Sequence, residues 1–203
     1  MPKKMIDPKK VTDYKRNEWQ LQEWLLYCIC VAGKKSEIES PKVRQFCLDP
    51  RFGFNLKPFD LIRKLLKVSS VEMDGLKQHL HKYKIAPYKA RYNSFVDAVH
   101  MLPQDLSEVT LDELQSVRGI STKTSRFFLT HSREDFDEPV LDTHILRFLA
   151  EEGYDVPEST PQNPKMYARI AKIFSAIAET ENKSVTELDL EVWTRYSYGL
   201  TKA

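Results

Sequence analysis

Cysteine and glycine are scarce in this chain of 203 residues, which contains three cysteines and six glycines. Cys28 and Cys30 lie within an apolar run, and no two cysteines have the Cys-x-x-Cys spacing of zinc and redox sites. Three cysteines are also too few for a four-cysteine iron–sulfur cluster. We therefore interpret all three as small buried core residues and predict no metal site.

Long apolar runs are also lacking, since no stretch approaches the roughly 20 residues of a membrane-spanning helix. With no secretory leader visible, we expect a soluble intracellular protein with no membrane contact. A strong excess of one charge is missing as well: 31 basic and 29 acidic residues give a net charge of +2, which does not by itself indicate nucleic-acid binding. The length suits one large domain or two small lobes.

No segment shows the period-two alternation of apolar and polar residues that is typical of a half-buried strand. Apolar residues instead recur at spacings of three and four, which predicts an all-α fold of roughly ten short helices. The most apolar segment, residues 19–32, should form a buried central helix that ends at Gly33. Further helices are predicted at residues 41–47, 58–66, 70–83 (capped by Ser70), 88–102, 111–117 (with a capping box from Thr110), 122–130, 142–152, 164–180 and 186–198.

Residues 114–130 predict two short helices joined by a tight turn at Arg118, Gly119, Ile120 and Ser121. Such a turn presents consecutive backbone N–H groups at the start of its second helix, and these donors favour a phosphate oxygen. Glycine lets the backbone approach a ligand closely. These contacts position nucleic acid without reading its sequence. An ordinary corner between two helices is the other interpretation of the same turn.

Lys123 lies two residues into the second helix, where a cation is unfavourably placed in the helix dipole. The same field, with partial burial, favours the neutral amine, which is a nucleophile. Asp142 follows 19 positions later, at the start of another predicted helix. A carboxylate near the lysine can deprotonate it or stabilise a cationic sugar intermediate. Asp142 is equally well suited to cap its helix, and both roles can hold together.

These residues resemble a motif pair of the helix–hairpin–helix base-excision DNA glycosylases. In that family a segment Leu-x-x-hydrophobic-x-Gly-hydrophobic-Gly-x-Lys-Thr precedes, by about this interval, a segment Val-Asp-x-His-hydrophobic-x-Arg. Residues 117–124 match the first segment and residues 140–148 match the second. Lys123 and Asp142 align with the family's nucleophile and essential acid, while Ser121 replaces its second hairpin glycine.

Within that family the chain is similar to the short, two-lobed prokaryotic 8-oxoguanine glycosylases. It lacks the four-cysteine cluster of the endonuclease III type and has no room for the extra N-terminal β domain of the eukaryotic enzymes. Residues 188–193, Leu-Asp-Leu-Glu-Val-Trp, and Lys202 near the end resemble the subgroup's C-terminal pattern, which helps to hold the damaged base. Ala203 follows the lysine and departs from a terminal-lysine pattern.

The resemblance implies two helical lobes that carry the helix–hairpin–helix motif and enclose a DNA-binding cleft. The hairpin lobe would span roughly 58–150 and the other lobe 16–57 plus 154–203, after a flexible basic arm at 1–15. The implied protein is a monomer that binds damaged double-stranded DNA in the cytoplasm, associated with the nucleoid. It needs no cofactor for chemistry, although a monovalent cation at the hairpin is a family possibility.

The implied activity is that of a bifunctional DNA glycosylase and AP lyase in base excision repair. A flipped-out 8-oxoguanine nucleotide would be attacked at C1′ by Lys123 with the help of Asp142, and the resulting Schiff base would lead to β-elimination. DNA-contacting candidates are Arg118, Gly119, Ile120, Ser121, His144 and Arg147. Candidates for the base pocket are Phe127, which can stack on the base or pack in the core, and Trp193 and Lys202.

Other functions remain open. A glycosylase for another damaged or modified base would share the lysine and the aspartate. A non-catalytic helix–hairpin–helix DNA-binding module would need the hairpin but would not need Asp142 at the matching interval. A helical transcription regulator would predict a recognition helix rich in base-reading polar residues, which the sequence does not show.

Overall fold

The computed structural model describes residues 11–53, 55–68 and 74–197. Over these residues the chain forms ten α-helices, one short 3-10 helix at Pro50–Phe52 and no strand, which confirms the all-α prediction. The helices are α1 (Glu18–Val31), α2 (Ser36–Cys47), α3 (Pro58–Leu66), α4 (Gly75–Lys82), α5 (Tyr88–Met101), α6 (Leu111–Ser116), α7 (Thr122–Thr130), α8 (Thr143–Glu151), α9 (Pro164–Thr180) and α10 (Val185–Ser197).

The chain divides into two compact units, Met1–Phe128 and Leu129–Ala203, with the boundary inside α7. This division differs from the predicted lobes of 58–150 and of 16–57 with 154–203. The physical reason is that α8, expected in the hairpin lobe, buries its apolar face in one core with α9 and α10. The lobe assignment inferred from the resemblance stays a prediction.

The first unit is built around α1, which is buried almost all round, as predicted. Leu25, Leu26 and Ile29 are fully buried, and α1 contacts α2, α3 and α5. Asn17 begins the helix through a capping box with Gln20. A central helix of this kind gives the surrounding helices one common apolar surface.

Helix α2 begins at Ser36, five residues before the predicted start at Pro41. The sequence rule that proline begins a helix does not hold here, and Glu39 and Ser40, which precede the proline within the helix, are already buried. Arg44 also donates a hydrogen bond of 2.6 Å to the buried Glu23 carboxylate of α1. Tertiary packing therefore holds a helix that contains an internal proline.

Two further predictions concern the N-terminal part of the chain. Most of the predicted basic arm, residues 1–10, lies outside the described residues; beyond it, Arg16 donates hydrogen bonds of 2.6 Å to the carbonyl oxygens of Val11 and Asp13. The predicted cap at Ser70 also lies outside the described residues. The structure shows Asp74 as the N-cap of α4.

The second unit has its own core, formed by the apolar faces of α8, α9 and α10. Tyr167, Ile170 and Phe174 line the buried face of α9, as their spacing predicts. Asp137 accepts hydrogen bonds of 2.9 Å from the backbone N–H groups of Val185 and Thr186, so it caps the start of α10. No helix among the described residues combines the length and the apolar character needed to cross a membrane.

Candidate active site

The turn between α6 and α7 is held in place by its buried flanks and by one glycine. Val117 and Ile120 are 1% and 6% exposed, and the Ile120 N–H donates to the Val117 carbonyl oxygen at 3.1 Å. Gly119 has a φ of +84°, and a Cβ there would come within 2.6 Å of the Ser94 Oγ. Both the backbone conformation and the close approach to α5 therefore require glycine.

Ser121 caps α7. Its Oγ accepts the backbone N–H of Thr124 at 3.2 Å, and its carbonyl oxygen accepts the N–H of Ser125 at 2.9 Å. The serine that replaces the family's second hairpin glycine thus begins the helix by an ordinary N-cap. The hairpin keeps backbone donors at the start of the helix that carries Lys123.

Arg118 projects from the turn and pairs with Asp97 of α5. Its Nη2 donates to the Asp97 Oδ1 at 2.7 Å, and its side chain is 63% exposed. The hydrogen bonds from Arg118 lower the pKa of the Asp97 carboxyl. The predicted phosphate contact is therefore also a clamp between the hairpin and α5.

Lys123 is the second residue of α7 and is partly exposed. It makes no hydrogen bond or ion pair with the described residues of its own unit. The following residues Thr124 and Ser125 are buried. An amine in the first turn of a helix, with no internal ion pair in its unit, is free to meet a ligand.

Phe127 lies one turn beyond Lys123 and packs against Trp24 of α1. The two ring centroids are 5.3 Å apart at an interplanar angle of 45°. Trp24 is 1% exposed and donates its indole N–H to the Phe128 carbonyl oxygen at 3.2 Å. One side of the partly exposed Phe127 therefore packs in the core, and stacking on a base stays a prediction.

Asp142 caps α8, as predicted. Its Oδ1 accepts the backbone N–H groups of His144 at 2.8 Å and Ile145 at 3.0 Å. Its Oδ2 makes no hydrogen bond with the described residues of its own unit. One oxygen of the carboxylate is thus used by the helix, and the other remains available for a ligand or a proton.

His144 and Arg147 come together around Tyr196 of α10. The His144 and Tyr196 rings are 6.1 Å apart and nearly parallel, and the Arg147 guanidinium carbon lies 4.9 Å from the Tyr196 ring centroid. Arg147 also donates to the Glu151 Oε1 at 3.0 Å. Burial and the hydrogen bond to Glu151 raise the pKa of Tyr196 to about 12.

Of the pocket candidates in this unit, Trp193 is half-buried on α10 and Lys202 lies outside the described residues.

The cysteines are buried and free, as predicted. Burial raises the pKa of the Cys30 thiol to about 12 and raises that of Cys28 and Cys47 well above the usual value. In residues 11–53, 55–68 and 74–197, no group of three or more His, Cys, Asp or Glu side chains could hold a metal ion.

Two hydroxyl groups that the motifs do not indicate, those of Tyr167 and Thr160, bond to the segment that precedes Asp142. The Tyr167 hydroxyl accepts the Leu141 N–H at 3.1 Å and donates to the Pro139 carbonyl oxygen at 3.0 Å. The Thr160 Oγ1 donates to the Leu141 carbonyl oxygen at 2.7 Å. A tyrosine on an otherwise apolar helical face was the available signal, because a buried phenol needs a hydrogen-bond partner.

Comparison with known proteins identifies relatives, although no family model matches the chain. The 8-oxoguanine DNA glycosylase/AP lyase of Saccharolobus solfataricus is 27% identical over 142 residues, which cover 70% of this chain and 67% of that protein. The 8-oxoguanine DNA glycosylase/AP lyase of Methanocaldococcus jannaschii is 33% identical over 82 residues, 39% of this chain and 38% of that protein.

A solved structure has the same fold. It is the Methanocaldococcus jannaschii 8-oxoguanine glycosylase/lyase in complex with 15mer DNA containing 8-oxoguanine. The TM-score is 0.67 at 20% sequence identity, and the match covers 96% of this chain and 90% of the other. In its motifs, in its sequence and in its fold, this chain is similar to prokaryotic 8-oxoguanine DNA glycosylase/AP lyases.

Proposed function

We propose that this protein is a bifunctional DNA glycosylase and AP lyase that excises 8-oxoguanine from duplex DNA. The observation that carries the proposal is Lys123, an amine in the first turn of α7 that directly follows the capped hairpin. It makes no ion pair with the described residues of its unit. The names of the two curated relatives supply the substrate and the two activities.

In this mechanism Lys123 is the nucleophile. Its neutral Nζ attacks C1′ of the flipped-out nucleotide, the C1′–N9 bond breaks, and the base departs with the bonding electron pair. The sugar ring then opens to a protonated Schiff base between Nζ and C1′, and O4′ takes up the proton that the lysine lost on attack. Loss of a C2′ proton expels the 3′ phosphate by β-elimination, which nicks the strand.

Asp142 supplies the acid–base function of the reaction. Its free oxygen, Oδ2, is the group we assign to accept the proton of the attacking lysine and to stabilise positive charge on the sugar. The bonds to Oδ1 fix the direction of the carboxylate, which preorganisation requires.

The DNA backbone is held by the hairpin and by basic groups on α8. The backbone donors after Gly119 and Ile120 suit a phosphate oxygen, and Arg118, Ser121, His144 and Arg147 remain the other DNA-contacting candidates. Phe127 and Trp193 are the proposed walls of the base pocket. The expected partner is damaged double-stranded DNA, bound by a monomer.

A non-catalytic helix–hairpin–helix binder is the second candidate. The hairpin geometry alone would serve it, because a phosphate site there would need only the backbone turn that Gly119 and Ser121 hold. Neither the Asp142 Oδ2 nor the Lys123 amine bonds to a described residue of its own unit, and this favours the enzyme.

Borohydride trapping on duplex DNA that contains 8-oxoguanine tests the proposal. Wild type is compared with Lys123→Gln and with Lys165→Gln, a matched control because Lys165 is likewise the second residue of its helix, α9. We expect a covalent adduct and strand nicking from wild type and Lys165→Gln, and neither from Lys123→Gln.

The other outcomes separate the alternatives. An adduct on other lesions but not on 8-oxoguanine would overturn the substrate and keep the mechanism. No adduct on any lesion or abasic site, combined with DNA binding, would replace the enzyme by the non-catalytic binder.

A further inference from the structure

We propose that Tyr167 and Thr160 are positioning residues for Asp142, acting through the peptide groups of Leu141. This inference rests on the proposed function of Asp142. Neither side chain belongs to the motif that aligns with the glycosylases, and both reach the segment before Asp142 from elsewhere in the second unit.

Tyr167 is placed by the start of α9. The Asn163 side chain accepts the N–H groups of Lys165 at 2.9 Å and Met166 at 3.3 Å, and Pro164 is the first helical residue. Tyr167 follows in the first turn and is 1% exposed within the core of the second unit. Its direction is therefore set by the helix start and by packing.

The Tyr167 hydroxyl joins two backbone groups of the entering segment. It accepts the Leu141 N–H at 3.1 Å and donates to the Pro139 carbonyl oxygen at 3.0 Å. Both its donor and its acceptor capacity are used, and the two groups flank Val140. A single phenol thus holds both ends of a three-residue segment.

Thr160 completes the arrangement from the loop between α8 and α9. Its Oγ1 donates to the Leu141 carbonyl oxygen at 2.7 Å. Leu141 is fully buried and lies outside any helix, so side chains rather than regular secondary structure satisfy its two backbone groups. Removing either hydroxyl leaves a buried backbone group without its partner.

The consequence for Asp142 is geometric. The carbonyl group of Leu141 is part of the peptide bond that leads into Asp142, and α8 begins at the next residue. Two sets of hydrogen bonds therefore position Asp142: the cap bonds hold its side chain, and the bonds to Leu141 hold the backbone that precedes it. A shift of the peptide would reorient Oδ2, and a displacement of about 1 Å can slow a reaction by up to about a hundredfold.

The test compares Tyr167→Phe and Thr160→Val with wild type. It measures the single-turnover rate of base excision at saturating enzyme, the DNA dissociation constant and the thermal unfolding curve. We expect the excision rate to fall about tenfold or more at a temperature where every variant is folded, with DNA affinity close to wild type. Thr160→Ser keeps a hydroxyl and should restore the rate.

Tyr27→Phe is the matched control for the loss of a buried phenol. Tyr27 is 2% exposed, and its hydroxyl bonds to the Ser36 Oγ at 2.7 Å in the first unit. The Tyr27→Phe variant should be less stable than wild type and should keep the wild-type excision rate. Positioning would be overturned if Tyr167→Phe and Thr160→Val excised at the wild-type rate, or if Tyr27→Phe slowed excision equally. No activity from wild type on any lesion would instead overturn the proposed function itself and, with it, this inference.

Discussion

The Asp142 carboxylate caps α8 through one oxygen, and the proposed function assigns acid–base chemistry to the other. Its Oδ1 binds the N–H groups of His144 and Ile145, while Oδ2 is free of hydrogen bonds with the described residues of its unit. Asparagine can reproduce the first role through its amide oxygen, but it cannot accept a proton at neutral pH. Substitutions at this residue can therefore separate the two roles.

We expect Asp142→Asn to retain nearly all the stability of wild type and to lose borohydride trapping. Asp142→Ala should lose trapping and also about 1 kcal/mol of unfolding free energy, because the cap bonds are gone. Urea unfolding and trapping measure the two effects. Asp74→Ala removes a comparable cap from α4 and should cost stability alone. Full activity of Asp142→Asn would show that Asp142 only caps the helix.

Some site residues could be predicted from sequence and others could not. Lys123 and Asp142 lie at helix starts, where local capping rules and the motif interval apply. Tyr167 and Thr160 act across 26 and 19 residues, so their partners depend on how α8, α9 and the loop pack. The Asp97 partner of Arg118 was missed for the same reason, because it lies on a different helix.

Among the helices, the accuracy of a predicted helix start depends on whether a local sequence signal or tertiary packing sets it. The capping box at Thr110 and the proline at Pro164 are local signals, and the structure confirms both helix starts. At Pro41 the local signal gave the wrong start, because buried contacts of α2 extend the helix backwards to Ser36. Sequence rules predict helix ends well where no tertiary contact competes with them.

A buried polar cluster joins the 3-10 helix to α4. Asp49 accepts hydrogen bonds from Arg51 and Lys82 and from the Tyr83 hydroxyl, and the His79 Nε2 lies 3.1 Å from the Phe46 carbonyl oxygen. Burial lowers the pKa of His79. Burial alone would raise the pKa of Asp49, but its hydrogen-bond donors hold it well below the usual range.

This cluster should make the fold sensitive to acid. The folded protein keeps His79 neutral, so the unfolded chain binds more protons below its ordinary pKa of about 6.5. The free energy of unfolding should therefore fall as pH drops from about 6.5 toward the lowered pKa of His79. Protonation of Asp49 should lower it further at lower pH. Thermal unfolding should show a flatter dependence between neutral and mildly acidic pH in His79→Gln. The exposed His100→Gln is the control, and an unchanged dependence in His79→Gln would contradict the assignment.

The whole molecule has an uneven charge distribution that its net charge conceals. Residues 1–128 contain 23 basic and 15 acidic residues, a net charge of +8, whereas residues 129–203 contain 8 basic and 14 acidic residues, a net charge of −6. A net charge of +2 therefore understates the suitability of the first unit for a polyanion. We expect the salt-dependent part of DNA binding to come mainly from the first unit, which carries the hairpin.

Arg118→Ala tests this division of charge. Loss of one phosphate contact should weaken DNA binding regardless of sequence and should reduce the slope of log K against log salt by about 0.9. Fluorescence anisotropy at several salt concentrations measures both. Arg169 is an exposed arginine of the second unit, and Arg169→Ala should leave the slope unchanged.

Weaker binding with an unchanged slope for Arg118→Ala would mean that Arg118 acts through its clamp to Asp97 rather than on phosphate. An equal loss of slope in both variants would mean that the second unit contributes as much to salt-dependent binding as the first, which would contradict the charge argument.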